Sequence, residues 1–222
     1  MPQRNVVLAK NEVYHVYNRT IAKVPIFSTK QYLNKMLEIV EFYLYPQELR
    51  LSRLRTLPSE TKRKYISHYR KRAPLVEIYS FAFMPNHYHF LLKQLGDNGI
   101  RRFISNAQNS FAKFFNLKNT RNGALFQNAF KAKRIENDEQ FLHVSRYIHL
   151  NPVTSYMIEF KDLSTHPYTS FPCYVSDNSK NLIVSCQTIL ELIVSKEKYI
   201  EFVADQVDYQ RELALIKDLI IE

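Results

Sequence analysis

Two apolar runs separated by a turn signal constrain the fold of this chain more than any other feature. The runs occupy residues 76–84 and 88–93, and Pro85 and Asn86 lie between them. Runs of this length, rich in β-branched and aromatic residues and interrupted by Pro and Asn, are typical of two strands joined as a hairpin. We therefore predict an antiparallel hairpin at this point, with His87 and His89 entering the second strand.

Other segments of the chain supply further strands and helices. Residues 11–19 alternate between two faces with the period of a strand, and residues 125–135 are a candidate fourth strand. Apolar residues recur at helical spacing over residues 29–45 and 100–115. This order of elements predicts an α+β fold, with an antiparallel sheet and helices on one face in a ferredoxin-like or split βαβ arrangement. The other face of the sheet is then free to hold a site.

The C-terminal third of the chain is expected to be mainly helical. A helical pattern runs from Asp138 to Leu150, and Pro152 should end it at Asn151, because proline disfavours helical geometry in the residue before it. Residues 188–194 and 196–221 have helical patterns as well. We therefore predict a third helix after the fourth strand and C-terminal helices beyond it.

The charge of the chain favours a polyanionic partner. Lys and Arg number 31 against 21 Asp and Glu, which gives a formal net charge of +10. Such a surplus concentrates nucleic acid near the protein, although a solubilising surface charge is the alternative. Basic residues are dense between residues 46 and 74, with Tyr65 and Tyr69 among them. This segment resembles an insertion, either an arm that tracks DNA and stacks on unpaired bases or a solvated helical excursion.

Residue usage excludes several classes of protein. The chain has three glycines, and neither a P-loop nor a G-x-G-x-x-G turn can be written from them. Its two cysteines, Cys173 and Cys186, are too few for a disulfide framework and lack zinc-site spacing, so we expect reduced thiols. No stretch approaches the roughly 18 apolar residues that span a bilayer. We expect a cytoplasmic protein with no membrane partner.

His87 and His89 are the first candidates for chemistry. Side chains two apart on a strand point to the same face, so these two imidazoles can bind one metal ion together. Taken alone, the pair fits equally well with strand histidines that are hydrogen-bonded to their neighbours. Its interpretation therefore depends on what other residues could join the site.

The third helix can supply the missing groups if it lies near this strand. His143, Tyr147 and Asn151 are spaced four apart and share one face of that helix. Two imidazoles and one amide oxygen leave a divalent ion with open positions for water or a phosphate oxygen. A tyrosine hydroxyl is a poor nucleophile in water, but becomes competent when a metal neutralises and aligns a phosphodiester. Because the phosphotyrosine product conserves the bond energy, DNA could be rejoined without ATP.

Four strings together resemble a known family: YHVYNR at residues 14–19, MPNHYH at 84–89, LFQ at 125–127 and YIHLNPV at 147–153. They resemble the single-tyrosine HUH transposases of the IS200-like class, and within it the REP-associated tyrosine transposases. The similarity extends over roughly residues 11–171. It implies an HUH endonuclease core in which His87 and His89 bind Mg²⁺ or Mn²⁺, Asn151 completes the metal site and Tyr147 is the nucleophile.

The resemblance implies a specific organisation and function. We expect a catalytic domain over residues 1–171, with the basic insertion at about 46–74, and a C-terminal helical extension over 172–222. The expected activity is that of a metal-dependent endonuclease and strand transferase acting on single-stranded DNA at hairpin-forming ends. Since relatives in the wider class pair their protomers, a homodimer is one expectation. The candidate DNA contacts are Arg19, Lys118, Arg121, Lys131, Lys133, Arg134 and His143.

Two other functions remain open from the sequence. A non-catalytic, domesticated relative could use the same basic sheet surface to bind single-stranded DNA or RNA. A metal-dependent phosphodiesterase that uses activated water would cleave without Tyr147.

Overall fold

The structure is a computed structural model that describes residues 6–176 and 183–212. Its strands are β1 (Val13–Arg19), β2 (Val76–Met84), β3 (His87–Gln94) and β4 (Lys131–Arg134). Its helices are α1 (Lys30–Tyr43), α2 (Leu51–Arg55), α3 (Ser59–Tyr69), α4 (Gly99–Lys118), α5 (Asp138–Thr154), α6 (Phe171–Val175), α7 (Gln187–Ile193) and α8 (Lys196–Ala204). Short 3₁₀ turns lie at Ile21–Lys23 and Phe160–Thr165. Within the described residues, no helix is long and apolar enough to cross a membrane.

The four strands form one antiparallel sheet in the order β2-β3-β1-β4. β2 and β3 pair as the predicted hairpin, with Met84 opposite His87. β1 lies between β3 and the short β4. The α+β fold with a ferredoxin-like antiparallel sheet, predicted from the order of elements, is confirmed.

One face of the sheet packs against α1 and α4 to form the larger core. Tyr14, Val16 and Phe90 point to this face and are almost fully buried. Phe103 and Phe111 of α4 are buried in the same core. A phenylalanine buried in this way contributes about 2 kcal/mol through the hydrophobic effect. This face therefore holds the fold together.

The opposite face is not left free of helices, as the sequence analysis expected, because α5 covers part of it beside the candidate site. Leu91 and Ala82 on the sheet pack in one core with Ile148 of α5. A bulge between Ile78 and Ser80 shifts the register of β2, and Ser80 Oγ lies 2.7 Å from Ser145 Oγ of α5. The helix thus lies over β2 and β3, which places the side of α5 that carries Tyr147 beside the histidines.

The third helix does not end at Asn151, so that prediction was wrong. α5 continues through Pro152 to Thr154. A proline inside a helix costs about 3 kcal/mol, because it has no N–H to donate and its ring clashes with the carbonyl four residues earlier. Ile148 and Val153 are fully buried on either side of it, and their burial offsets this cost. Tertiary packing therefore overrides the local preference.

Two other elements are shorter than their sequence patterns. Of residues 125–135, only Lys131–Arg134 form a regular strand, although Phe126 makes an isolated bridge to Thr20. The last predicted helix breaks after Ala204 at a turn, and residues 213–221 of that prediction lie outside the described residues.

The basic segment is a helical excursion attached to the back of the sheet. Arg55 and Arg70 form ion pairs with Glu38 and Glu41 of α1, which belongs to the face opposite the histidines. Tyr69 is buried, so its ring cannot stack on an unpaired base. The Tyr65 hydroxyl donates to Gln47 Oε1 at 3.1 Å. These contacts favour the solvated helical excursion over the stacking arm.

Candidate active site

His87 and His89 lie side by side on the face of β3 that α5 borders. Their ring centroids are 5.1 Å apart. Tyr88 between them points into the opposite core, where it is fully buried and its hydroxyl accepts a hydrogen bond from Gln108 at 2.8 Å. The alternation of the strand therefore presents both histidines to the same side.

Each of these histidines is held through its Nδ1 atom. Nδ1 of His87 lies 2.7 Å from Oδ1 of Asn86, and since an amide oxygen only accepts, Nδ1 carries the proton. Nδ1 of His89 lies 2.9 Å from Nε2 of His15 on β1. No hydrogen bond to either Nε2 atom is found in the part of the chain that the structure describes. Either Nε2 atom can therefore bind a metal ion in the tautomer whose proton is on Nδ1.

His15 was not among the candidate residues. The alternation of β1 placed it on the same side as Tyr17, but only the pairing of β1 with β3 brings that side next to the histidines. In the register, Tyr17 lies opposite His89 and His15 opposite Leu91. The sequence did contain a signal for His15. It is a third histidine in a predicted strand, and pairing that strand with the one that carries His87 and His89 would place all three on one face.

All three imidazoles are neutral near pH 7. Burial lowers the pKa of His15 to about 4, with help from the charge of Lys133. Burial, with the charge of Arg19, likewise lowers the pKa of His87 to about 4. The pKa of His89 is also well below its usual range, again mainly through burial. Neutral imidazole is the form that binds metal ions.

Tyr147 lies over the histidines. Its ring meets those of His89 and His15 edge-on, with centroid distances of 5.6 and 5.9 Å. The residue is 38% exposed, so part of it is accessible to a substrate. Burial raises the pKa of Tyr147, while a hydrogen bond from Asn151 and the charge of Arg19 act to lower it.

Asn151 lies one turn beyond Tyr147 on α5. It is buried, and its Nδ2 donates to the backbone carbonyl of Tyr147 at 2.8 Å. Within residues 6–176 and 183–212, no three His, Cys, Asp or Glu side chains are arranged to hold a metal. A metal at His87 and His89 would therefore need oxygen ligands of another type, such as the amide of Asn151, water or phosphate. Nε2 of His87 fits such an ion, and so does Nε2 of His89 when its proton is on Nδ1.

Three of the candidate DNA contacts share this face. Arg19 ends β1 opposite His87, and its charge acts on Tyr147. Lys131 and Lys133 are exposed on β4, and Nζ of Lys131 lies 6.0 Å from the centre of the Tyr17 ring. Their cationic groups border the histidines and Tyr147.

The other four candidates lie elsewhere. Lys118 contacts Gln31 and Tyr32 at the back of the sheet. Arg121 donates to backbone carbonyls of Gly123 and Ala124, and Arg134 pairs with Glu12. Nδ1 of His143 lies 2.6 Å from Nη2 of Arg146, beside Phe202. The structure does not bring these four side chains to the histidines.

A buried polar network anchors α5 from behind. Nδ1 of His149 lies 2.8 Å from the Tyr199 hydroxyl, and its Nε2 lies 2.6 Å from Ser170 Oγ. Ser145 Oγ lies 2.7 Å from the same Tyr199 hydroxyl. His149 is fully buried, and burial lowers its pKa to about 3. This histidine is therefore structural, and it lies on the side of the helix away from Tyr147.

Comparison with known proteins agrees with the motifs. Residues 50–151 match the family model described as "Transposase IS200 like". A solved structure, "Structure of the REP associates tyrosine transposase bound to a REP hairpin", matches this protein with a TM-score of 0.55 and 18% sequence identity. The match covers 83% of this chain and 92% of the chain in that structure. No curated protein matches the sequence significantly. The resemblance to IS200-like transposases is confirmed by this family model, and the solved structure shows that the fold is shared with a REP-associated tyrosine transposase.

Proposed function

We propose that this protein is a metal-dependent endonuclease and strand transferase that acts on single-stranded DNA at hairpin-forming ends. The observation that carries the proposal is the contact of the Tyr147 ring with His89, beside His87 on the same strand face. A partly exposed tyrosine next to two neutral imidazoles that can hold a metal ion suits phosphodiester transfer to tyrosine. The similarity to IS200-like transposases supports the same chemistry.

His87 and His89 would hold Mg²⁺ or Mn²⁺ through their Nε2 atoms, with the amide oxygen of Asn151 as a further ligand. When bound, the ion would neutralise charge on the scissile phosphate and help to align it. The hydrogen bond from Asn86 fixes the orientation of His87 before any ligand arrives.

Tyr147 is the proposed nucleophile. Its Oη forms a new bond to phosphorus while one P–O ester bond of the DNA breaks. The departing DNA oxygen takes up a proton and leaves as a hydroxyl, which balances the proton that the phenol gives up, so one ester replaces another. Burial raises the pKa of Tyr147, which makes proton loss harder, and the positive charge of Arg19 partly counteracts this. Attack by a DNA hydroxyl on the phosphotyrosine reverses the exchange and joins strands without ATP.

The proposed DNA path crosses the face that carries Arg19, Lys131 and Lys133. These cations lie where the backbone of a strand entering the site would run, and phosphate contacts supply most of the affinity of such binding. Contacts from Lys118, Arg121, Arg134 or His143 would have to involve DNA outside the site. The solved relative is described as bound to a REP hairpin, which supports a hairpin substrate.

We also propose the division into a catalytic domain at residues 1–171 and an extension at 172–222. Tyr147 meets histidines of its own chain, so the proposed reaction requires no second copy. A homodimer would then serve a purpose other than completing the site.

A covalent-adduct assay tests the proposal. Incubation with hairpin-flanked single-stranded oligonucleotides and Mg²⁺ or Mn²⁺ should give a protein–DNA adduct on a denaturing gel. Tyr147→Phe should abolish the adduct, whereas Tyr209→Phe, at an exposed tyrosine, should not.

Other outcomes would support the competing functions. Hairpin binding that is insensitive to chelators and is never followed by cleavage would indicate a non-catalytic binding protein. Cleavage that persists in Tyr147→Phe would indicate a phosphodiesterase that uses water.

A further inference from the structure

The ring of His15 is aligned with that of His89 in a manner suited to a hydrogen bond. His15 Nε2 and His89 Nδ1 are 2.9 Å apart, the ring centroids are 5.2 Å apart and the ring planes differ by 21°. Rings that are nearly parallel, with two nitrogens this close, share a proton in the plane of the imidazoles. The contact joins β1 to β3 between residues that are 74 apart in the chain.

This contact has the same form as the one that holds His87. Asn86 Oδ1 accepts from Nδ1 of His87, and His15 Nε2 faces Nδ1 of His89. Metal-binding histidines usually donate their second ring N–H to such a partner, which fixes the tautomer and the ring orientation. Each histidine therefore has a hydrogen-bond partner at Nδ1. The partner of His87 is the side-chain amide of Asn86 in the turn, and the partner of His89 is the imidazole of His15 on the neighbouring strand.

The hydrogen bond between two neutral imidazoles has two arrangements. If Nδ1 of His89 carries the proton and His15 Nε2 accepts it, Nε2 of His89 keeps its lone pair for a metal. In the reverse arrangement, Nε2 of His89 carries a proton and cannot bind an ion. Only the first arrangement gives His87 and His89 the same tautomer.

We infer that His15 is a positioning residue that holds His89 in the Nδ1-protonated tautomer, with Nε2 directed to the metal. The inference rests on the proposed function, because it assigns the ion to His89. It does not make His15 a metal ligand, since its Nε2 atom is engaged by His89. The His15 ring also meets the edge of Tyr147, at a centroid distance of 5.9 Å, so its position links the metal side of the site to the nucleophile.

Two substitutions separate this role from simple packing. His15→Phe keeps a ring of similar size but has no acceptor. His15→Gln retains an amide oxygen that can accept from Nδ1 of His89. His166→Phe is the control, because the His166 ring packs against Tyr168 and not against the rings of His15, His89 or Tyr147. Circular dichroism and thermal unfolding establish that each variant is folded.

The first measurement needs no metal. Long-range ¹H–¹⁵N NMR reports the tautomer of His89 in the metal-free protein. We expect the Nδ1-protonated form to dominate in the wild type and in His15→Gln, and a mixture or the Nε2-protonated form in His15→Phe. A His89 tautomer that is unchanged in His15→Phe would overturn the inference.

The second measurement is binding of Mn²⁺ alone, by calorimetry and electron paramagnetic resonance. Loss of such a supporting hydrogen bond typically lowers metal affinity by about 10- to 100-fold, so we expect this for His15→Phe and less for His15→Gln. His166→Phe should bind like the wild type. Spin-echo modulation should detect two coordinated imidazoles in the wild type, and a third would overturn the inference by making His15 a ligand.

The outcomes also separate this inference from the proposed function. A wild-type protein that binds no Mn²⁺ contradicts both the metal site and the role of His15 toward it. A wild type that binds Mn²⁺ with two imidazoles but is unaffected by His15→Phe contradicts the role of His15 alone. If the wild type binds Mn²⁺ with two imidazoles, His15→Phe weakens that binding and the adduct never forms, the strand-transfer activity is contradicted and the role of His15 is supported.

Discussion

The hydroxyl of Tyr199 on α8 lies 2.7 Å from Oγ of Ser145 on α5, two residues before Tyr147. The same hydroxyl reaches Nδ1 of His149 at 2.8 Å, so one side chain holds the helix on both sides of the proposed nucleophile. Arg146 adds a second link, since its Nη1 donates to the Phe202 carbonyl at 3.0 Å. The C-terminal extension therefore fixes the position of α5 on the sheet.

Tyr199→Phe should destabilise the protein without disturbing its apolar packing. It leaves buried Ser145 and His149 without one partner, which costs about 1–3 kcal/mol. We expect the free energy of unfolding, measured with urea, to fall by that amount, and the adduct to form more slowly. Tyr209→Phe serves as the matched control at an exposed site. Equal stability of Tyr199→Phe and the wild type would mean that the network does not anchor α5.

His149 should make the protein sensitive to mild acid. Burial lowers its pKa to about 3 in the folded state, against about 6.5 in the unfolded chain. Because the unfolded state binds the proton more readily, the stability from neutral His149 is fully present above pH 6.5 and is lost as the pH falls towards 3. Between pH 7 and pH 5, this residue alone should lower the free energy of unfolding by about 2 kcal/mol.

A comparison of pH slopes isolates this effect. His149→Gln can still bond to Tyr199 and Ser170 but does not titrate, so its free energy of unfolding should fall less steeply between pH 7 and 5 than that of the wild type. Other buried histidines, such as His15, contribute equally to both proteins and cancel in the difference. Parallel slopes for the two proteins would show that His149 is not held neutral.

Lys131 should contribute more to DNA binding than Lys118. Lys131 lies at the active face beside Tyr17, whereas Lys118 is behind the sheet against Tyr32. Removal of one phosphate contact weakens binding and reduces the slope of log affinity against log salt by about 0.7 for a single strand. We therefore expect this change for Lys131→Ala and almost none for Lys118→Ala, in fluorescence anisotropy titrations with a hairpin-flanked oligonucleotide. The opposite ranking would place the DNA on the other side of the sheet.

Metal removal should separate binding from chemistry. Chelation, or His87→Ala, should eliminate the covalent adduct, because the phosphate would lose its neutralising charge. Affinity for the hairpin should change much less, because the cations at Arg19, Lys131 and Lys133 remain. Anisotropy and the adduct gel, run on the same samples, measure the two effects. An adduct that forms at full rate in EDTA would contradict a metal-dependent reaction.

Local patterns predicted the regular elements well, because they depend on periodicity alone. The hairpin at Pro85 and Asn86 is formed, and the period of two places His87 and His89 on one face. The prediction for Pro152 was wrong because a local rule was applied where buried neighbours decide the outcome. The stacking role considered for Tyr69 fails for the same reason, since burial in a core is a property of the whole fold.

By itself, the sequence determined which side chains share a face: the histidine pair on its strand, and Tyr147 with Asn151 on its helix. These are properties of one segment, set by a repeat of 2 or 3.6 residues. Tertiary structure alone decided that β1 pairs with β3, which brings His15 to His89, and that α8 anchors α5 through Tyr199. Such contacts join residues 50 or more apart, and they depend on strand pairing and on the packing of whole elements, which no local period encodes.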